Sequence, residues 1–301
     1  MQTPLDAPLE AIATFDVRLP DDQTIPFVYT SPHSGKAYLR EFLVLSRLDV
    51  RTLRRSEDAF VDELFDAAPE LGAPFLCAVV PRSFLDLNRE PLELDPEMFE
   101  DALPGHANTT SHRVNGGLGT IARIVSNGAE IYRSRLSYSE AERRISLVYM
   151  PYHQRLRALI DETRARFGCA IVIDCHSMPS IGGPLDQDSG RQRTDVILGN
   201  RFGRSCSPVI VDKAERALRE MGYRVFRNNP YAGGFTTQHY GRPAEAVHTL
   251  QIELNRALYM DEKRIERTPL MPGVRDDMTV LMRALADIDP ALLYPAKKAA
   301  E

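Results

Sequence analysis

Two histidines stand where apolar runs stop. Pro26-Phe27-Val28-Tyr29-Thr30 breaks into Ser31-Pro32-His33-Ser34-Gly35, and Ala170-Ile171-Val172-Ile173 runs into Asp174-Cys175-His176-Ser177-Met178. A third apolar run, Ala246 to Arg256, carries Glu253 in its interior, where a carboxylate is costly to bury unless a metal, an arginine or a water network meets it. Glu57 and Asp58 follow Ser56 at the start of a helix-spaced stretch. Singly, each residue has an ordinary structural use as a cap, a hydrogen-bonded core histidine or a charge favoured by a helix dipole. As a set, His33, Asp58, His176 and Glu253 supply what a hydrolytic zinc centre needs. That is two imidazoles and a carboxylate around an open position for water, with a second carboxylate to take the water's proton.

The elements that must position these groups can be read from the same runs. The run bounded by Gly168 and Pro179 has the composition of a strand buried on both faces, as in parallel sheets with helical cover. Asp174 and His176 then fall at its carboxyl end, where ligand crevices open in α/β sheets, and a step of two turns both to one face. The alternation of Ala246–Arg256 likewise puts Gln251 and Glu253 on one face. Ser56 is expected to cap a helix reaching Gly72, with Glu57 and Asp58 in its first turn.

A strand over Pro74–Val80 leads into Pro81–Arg89, where Asp86 and Asn88 alternate with apolar residues between Arg82 and Arg89, a pair suited to a dianionic ligand. Glu90 to Asn115 reads as a long irregular excursion with His106 and His112 exposed, of the length that serves as a lid or binding loop. The glycines 116, 117 and 119 lack a P-loop lysine and open no helix, which argues against nucleotide binding. They precede an expected strand, Thr120–Val125, whose Arg123 needs solvent or an acid such as a substrate carboxylate. A helix is expected from Ser139 to Phe167, kinked at Pro151, with His153 in packing or at the surface. Strands at Thr194–Gly199 and Arg224–Arg227 flank a helix at Ser207–Met221, and a last helix covers Gly273–Leu293. The turn cluster Asn229–Phe235 has paired glycines, Gly233 and Gly234, that let backbone approach a ligand, and His239 follows in a polar loop. The succession β-α-β-β-α-β-α-β favours one α/β domain over residues 1–301 with a largely parallel sheet.

Composition narrows the partners. A formal charge of −5 over 301 residues argues against nucleic acid, which needs a basic surface. No apolar run reaches about 18 residues, so no membrane span is expected, and the acid-bearing first 20 residues lack an export pattern. Cys77, Cys169, Cys175 and Cys206 form no CxxC pair and read as reduced packing residues of a cytoplasmic protein.

The motifs Ser31-Pro32-His33-Ser34-Gly35, Glu57-Asp58 to Leu64, Arg82 to Arg89, Asp174-Cys175-His176-Ser177, His239-Tyr240-Gly241 and Gln251-Ile252-Glu253-Leu254 occur in one order over about Phe27 to Met260. As a group they closely resemble the N-formylglutamate amidohydrolase family. The resemblance implies a three-layer α/β/α fold with a mixed, largely parallel sheet, like that of zinc carboxypeptidases and other phosphorylase/hydrolase-like proteins. It implies one Zn2+ held by His33, His176 and a carboxylate, with Asp58 the first choice and Glu57 the fallback, because Lys36 stands where carboxypeptidases carry their glutamate ligand. Glu253 matches the carboxypeptidase general base in its strand context, and Asp174 would orient a ligand histidine or fix its loop. Arg82, Asn88, Arg89, Arg123, Gly234 and His239 would bind the substrate, with Arg123 and His239 also assisting catalysis. The implied substrate is a small acidic N-acyl amino acid, N-formyl-L-glutamate first, cleaved to formate and glutamate in histidine breakdown. Another N-acyl amino acid, a small acidic peptide, or a binding protein without turnover are the alternatives.

Overall fold

Strands form in chain order at Phe15–Arg18 (β1), Phe27–Ser31 (β2), Phe75–Ala78 (β3), Ala170–Met178 (β4), Val196–Gly199 (β5), Val225–Arg227 (β6) and Val247–Asn255 (β7). They make one seven-stranded sheet in the order β1-β3-β2-β4-β7-β5-β6. β3, β2, β4 and β7 run parallel to one another, β5 and β6 pair parallel, and β1 joins β3, and β5 joins β7, antiparallel, giving the expected mixed sheet. The computed structural model describes residues 5–184, 186 and 188–294. The ends of the expected domain, 1–4 and 295–301, and positions 185 and 187 of the loop after β4 lie outside the described residues.

β4 and β7 lie at the centre, pair in register along all nine residues, and are buried throughout. Their alternation divides the two cores. Ile171, Ile173, Cys175, Leu250, Ile252 and Leu254 point to one side, packed under helices α1 (Val61–Leu64), α3 (Pro208–Glu220) and α5 (Met271–Ala286). Ala170, Val172 and Val247 point to the other, covered by α2 (Met150–Phe167) and by the 81–136 excursion. Continuing along this second face, the next side chains are Asp174 and His176 on β4, and Gln251 and Glu253 on β7. One sheet face thus passes from apolar to polar toward the carboxyl ends of the strands, and the site is built there.

Several local expectations differ. The helix at Ser56 is only a 3-10 turn, Arg54–Ser56, and α1 starts at Val61, after Phe60 in the left-handed region (φ 67°). Thr120–Val125 is not a strand; apart from an isolated bridge between Ile124 and Glu130, its backbone bonds turns and loops such as Glu93, Gly117 and Ala129. Pro81–Arg89 is a series of turns. The long helix is capped by Ser137, whose side chain accepts from Glu140 N–H, and opens into a π-turn at Ile145–Tyr149 just before Pro151, where a missing N–H relaxes the ladder. Residues 235–240, expected as loop, form helix α4 (Phe235–Tyr240), and β1 and a hairpin of Met260–Asp261 with Glu266–Arg267 were not anticipated.

Candidate active site

The loop after β2 is drawn tightly against the exit of β3. A Cβ at Gly35 would lie 2.0 Å from the Val80 carbonyl oxygen, so only glycine allows this approach. The approach directs His33 back over the sheet, and its carbonyl accepts the Asp58 N–H at 3.0 Å, fixing the 57–58 turn beside it. His176 arrives from β4. The three side chains converge: His33 Nδ1 and His176 Nδ1 lie 3.3 and 2.9 Å from Asp58 Oδ2, and one ligand atom from each falls within 4.8 Å of the others. All three residues are buried. Tetrahedral donors at about 2.0–2.1 Å from an ion lie about 3.3 Å apart, close to these separations. His33 Nδ1 is also enclosed with no hydrogen-bond partner, an orphan that an ion between the three groups would satisfy. The donor set fits a divalent metal.

Behind each imidazole stands a carboxylate. His33 Nε2 lies 2.7 Å from Asp86 Oδ1, and His176 Nε2 lies 3.1 Å from Asp174 Oδ1. The hydrogen bond to Asp86 leaves the His33 Nδ1 lone pair free for a ligand role and fixes the ring orientation. Asp86 in turn accepts from Arg82 Nη2 at 2.7 Å and from the Asn88 N–H at 2.9 Å. Arg256 Nη2 donates to the second Asp58 oxygen at 3.0 Å, and its Nε donates to Ser177 Oγ at 3.1 Å. Glu57 points elsewhere, accepting from Tyr38 Oη at 2.7 Å and from Arg54 Nε, so the acid facing the histidines is Asp58.

The charges follow from these contacts. Burial pushes the Asp58 carboxyl up, but the neighbouring imidazoles of His176 and His33 outweigh it and hold the group well below the usual range. Asp86 is held low in the same way, burial being outweighed by Arg82, Arg89 and His33. Burial disfavours protonation of His176, yet Asp174 and Asp58 raise it well above its ordinary value, as expected for an imidazole facing anions where a cation belongs.

Glu253 lies opposite His176 in the β4–β7 register. Its Oε1 accepts from Gln251 Nε2 at 2.8 Å, and Gln251 Oε1 accepts from the Gly234 N–H at 2.8 Å. Burial raises its carboxyl to about 7; His176 and Arg82 oppose the rise while Asp58 and Asp174 add to it. A carboxylate so poised exchanges protons readily near neutral pH.

The remaining expected residues divide. Arg82, Asn88, Arg89 and Gly234 border the triad. Asn88 Nδ2 reaches His176 Nε2 at 3.1 Å and Asp174 Oδ2 at 3.4 Å, and its Oδ1 accepts from the Thr236 N–H at 2.8 Å, so its amide is taken up in positioning. A Cβ on Gly234 would come within 2.4 Å of that amide, so the close approach this glycine permits is to Asn88. Arg89 donates to the carbonyls of Leu118 and Asn88, with Nη2 3.6 Å from Asp86. Arg123 is not among the gathered groups. It pairs with Asp95 at 2.9 Å and lines a separate cavity of about 200 Å³ with Arg47, Glu130 and Arg133. His239 is exposed on α4, stacked on Phe235 with ring centroids 4.8 Å apart and with no hydrogen bond to the triad. His153 is a buried packing residue between Tyr240 Oη and the Leu87 carbonyl. Sequence reasoning left Arg256 and Gln251 without a site role. Their signal was the strand itself, since Gln251 shares a face with Glu253 and Arg256 closes the same run.

The N-formylglutamate amidohydrolase family model matches residues 25–260. The N-formylglutamate deformylases of Pseudomonas putida and Pseudomonas aeruginosa are each 30% identical to the chain, over 79% of it and 83% and 84% of their own lengths. The crystal structure of N-formylglutamate amidohydrolase from Ralstonia eutropha JMP134 superposes with a TM-score of 0.84 at 36% identity, covering 91% of this chain and 98% of that one. The Agrobacterium tumefaciens gene product Atu2144, at 17% identity and a TM-score of 0.63 over 90% of this chain and 94% of that one, shares the fold. With a family model matching residues 25–260 and deformylases 30% identical over most of their own lengths, the chain belongs to the N-formylglutamate amidohydrolase family.

Proposed function

We propose that the protein is a zinc-dependent amidohydrolase that cleaves N-formyl-L-glutamate to formate and L-glutamate. The observation that carries this reading is the convergence of His33, Asp58 and His176 with Glu253 on the neighbouring strand. His33 Nδ1, Asp58 Oδ2 and His176 Nδ1 would hold one Zn2+, the ion that suits two imidazoles and a carboxylate with an open position. When bound there, the ion supplies Lewis acidity, lowering the pKa of water and polarising a carbonyl.

The chain's own residues do the rest. Asp86 keeps Nε2 of His33 protonated, so its Nδ1 stays available. Arg256 holds the second oxygen of Asp58, leaving Oδ2 directed at the histidines. Glu253 accepts a proton from the attacking water and returns it to the leaving nitrogen; Gln251 anchors one of its oxygens and leaves the other for this transfer. Arg89, immobilised through Nε and Nη1 on backbone carbonyls, keeps Nη2 for a substrate carboxylate, whereas Arg82 is committed to Asp86. The four buried, unpaired cysteines support a reducing, cytoplasmic setting, and no helix among the described residues is long and apolar enough to cross a membrane.

Zinc content and formate release from N-formyl-L-glutamate test the proposal. The expected result is about one zinc per chain and turnover that Glu253→Gln lowers by about 10²–10⁴-fold while the metal stays bound. Zinc-loaded protein that releases no formate from N-formyl-L-glutamate would overturn the substrate, and full activity in Glu253→Gln would overturn the base.

A further inference from the structure

Three buried side chains of the long helix donate to one segment of backbone. Arg144 Nη1 reaches the Phe84 carbonyl at 3.0 Å, His153 Nε2 the Leu87 carbonyl at 2.9 Å, and Tyr149 Oη the Arg89 carbonyl at 2.8 Å. That segment carries Asp86, Asn88 and Arg89 of the candidate site and is buried from Phe84 to Arg89. It folds as turns, so no sheet ladder satisfies its carbonyls. The bonds at 87 and 89 bracket Asn88, whose amide meets His176 and Asp174.

The shape of the helix makes this row possible. In a regular α-helix residues five apart point about 140° away from one another, so Arg144 and Tyr149 would diverge. The π-turn at Ile145–Tyr149, closed by the Met150 N–H on the Ile145 carbonyl five residues back, absorbs the extra residue. The ordinary spacing of four then sets His153 beside Tyr149, with ring centroids 4.2 Å apart. Stability alone is a weak reason for the row. Arg144 is fully buried, and its Nη2 has no hydrogen-bond partner among the described residues, a costly arrangement beside an apolar alternative. His153 is placed just as specifically: with its Nε2–H donated to Leu87, its Nδ1 accepts from Tyr240 Oη at 2.8 Å. Tyr240 ends α4, whose Thr236 N–H donates to Asn88 Oδ1 at 2.8 Å, so His153 ties together the two segments that hold the Asn88 amide.

We propose that Tyr149 and His153 are positioning residues for the hydrolytic reaction, Tyr149 setting Arg89 for the substrate carboxylate and His153 setting Asp86 and Asn88 for the two histidines. The inference rests on the amidohydrolase reading for its kinetic and metal readouts, though not for the order of the segment. Tyr149→Phe removes one oxygen and keeps the ring. KM for N-formyl-L-glutamate is expected to rise about 5- to 30-fold with kcat within about twofold. His153→Leu is expected to weaken zinc binding about 5- to 30-fold in chelator competition, and His153→Gln, whose amide nitrogen can donate to the same carbonyl, to restore it to within about threefold of wild type. Hydrogen exchange reads the same effect without activity. The Asn88 N–H, bonded to Asp86 Oδ1 at 2.9 Å, should exchange about tenfold faster in Tyr149→Phe and His153→Leu while amides of the central β4–β7 ladder keep their rates. Asn88 exchange that is unchanged in both variants, or that quickens only in step with the ladder, overturns the proposal, as does a loss of kcat at unchanged KM in Tyr149→Phe. If the wild type releases no formate from N-formyl-L-glutamate, the reaction assignment fails by itself, and the exchange rates still decide whether the row holds the segment.

Discussion

Asp86→Asn separates two duties that one carboxylate performs. Oδ1 faces His33 Nε2 at 2.7 Å and Oδ2 faces Arg82 Nη2 at 2.7 Å, with Arg89 at 3.6 Å, and the residue is 3% exposed. Asparagine keeps the shape but removes the charge and turns one acceptor into a donor. Removing one partner of a buried ion pair costs about 3–5 kcal/mol; the 22% exposure of the Arg82 side chain moves the expected loss to about 2–4 kcal/mol. Loosening the group behind a ligand histidine costs about 10- to 100-fold in metal affinity, or about 1.4–2.7 kcal/mol. Denaturant unfolding of the metal-free protein reads the first loss, and chelator competition on folded protein reads the second. The sign with pH is fixed as well. The folded carboxyl titrates well below its unfolded value, so the stability it contributes is present above about pH 4 and disappears as pH falls below that. The deficit of the variant is therefore largest at neutral pH and shrinks on acidification. Metal affinity within about twofold of wild type, alongside the stability loss, would refute the claim that Asp86 orients His33 for a ligand role.

Glu57→Gln should cost about 1–3 kcal/mol of stability through Tyr38 and Arg54 while metal affinity stays unchanged; a collapse of zinc binding in a competition titration would make Glu57 the ligand in place of Asp58. In the wild-type enzyme kcat/KM should rise with pH on the acid side, because Glu253 must be ionised to accept a proton. Burial sets its carboxyl at about 7, and a bound cation moves the midpoint lower, so a rate that falls between pH 5 and pH 7 contradicts the assignment. His153 is kept neutral, burial lowering it to about 3, so the unfolded chain takes up a proton below about pH 6.5 that the folded chain refuses. Wild type should therefore lose about 1.4 kcal/mol per pH unit from this group between about pH 6 and pH 4, and His153→Gln should flatten that slope in unfolding titrations.

What the sequence made legible was whatever depended on strand period. β4 and β7 each bury all nine residues, so their runs are continuous, and a step of two is enough to place Asp174 with His176 and Gln251 with Glu253. The position of His33 beyond a short buried strand followed from the same logic. Period fails where the chain is governed by distant contacts. Pro81–Arg89 alternates like a strand yet folds as turns, because Asp86 must face His33, Arg82 and the Asn88 N–H together. Arg123 was expected to meet a substrate acid and instead meets Asp95, an acid supplied by the irregular excursion that no spacing rule connects to it.

The matched alignment of β4 with β7 has a consequence for how this molecule can change. The proposed ligand histidine and the proposed proton acceptor are neighbours across a single ladder, His176 beside Glu253, with no connecting segment whose length could be adjusted between them. A shift of one residue in either strand would turn that strand's partner into the opposite core and break the pair at once. Graded damage to this half of the chemistry is therefore foreclosed: the ladder forms and the pair is assembled, or it slips and nothing of the pair remains. Divergence toward new substrates is left to the segments that cross above the ladder, among them the one that carries Arg89.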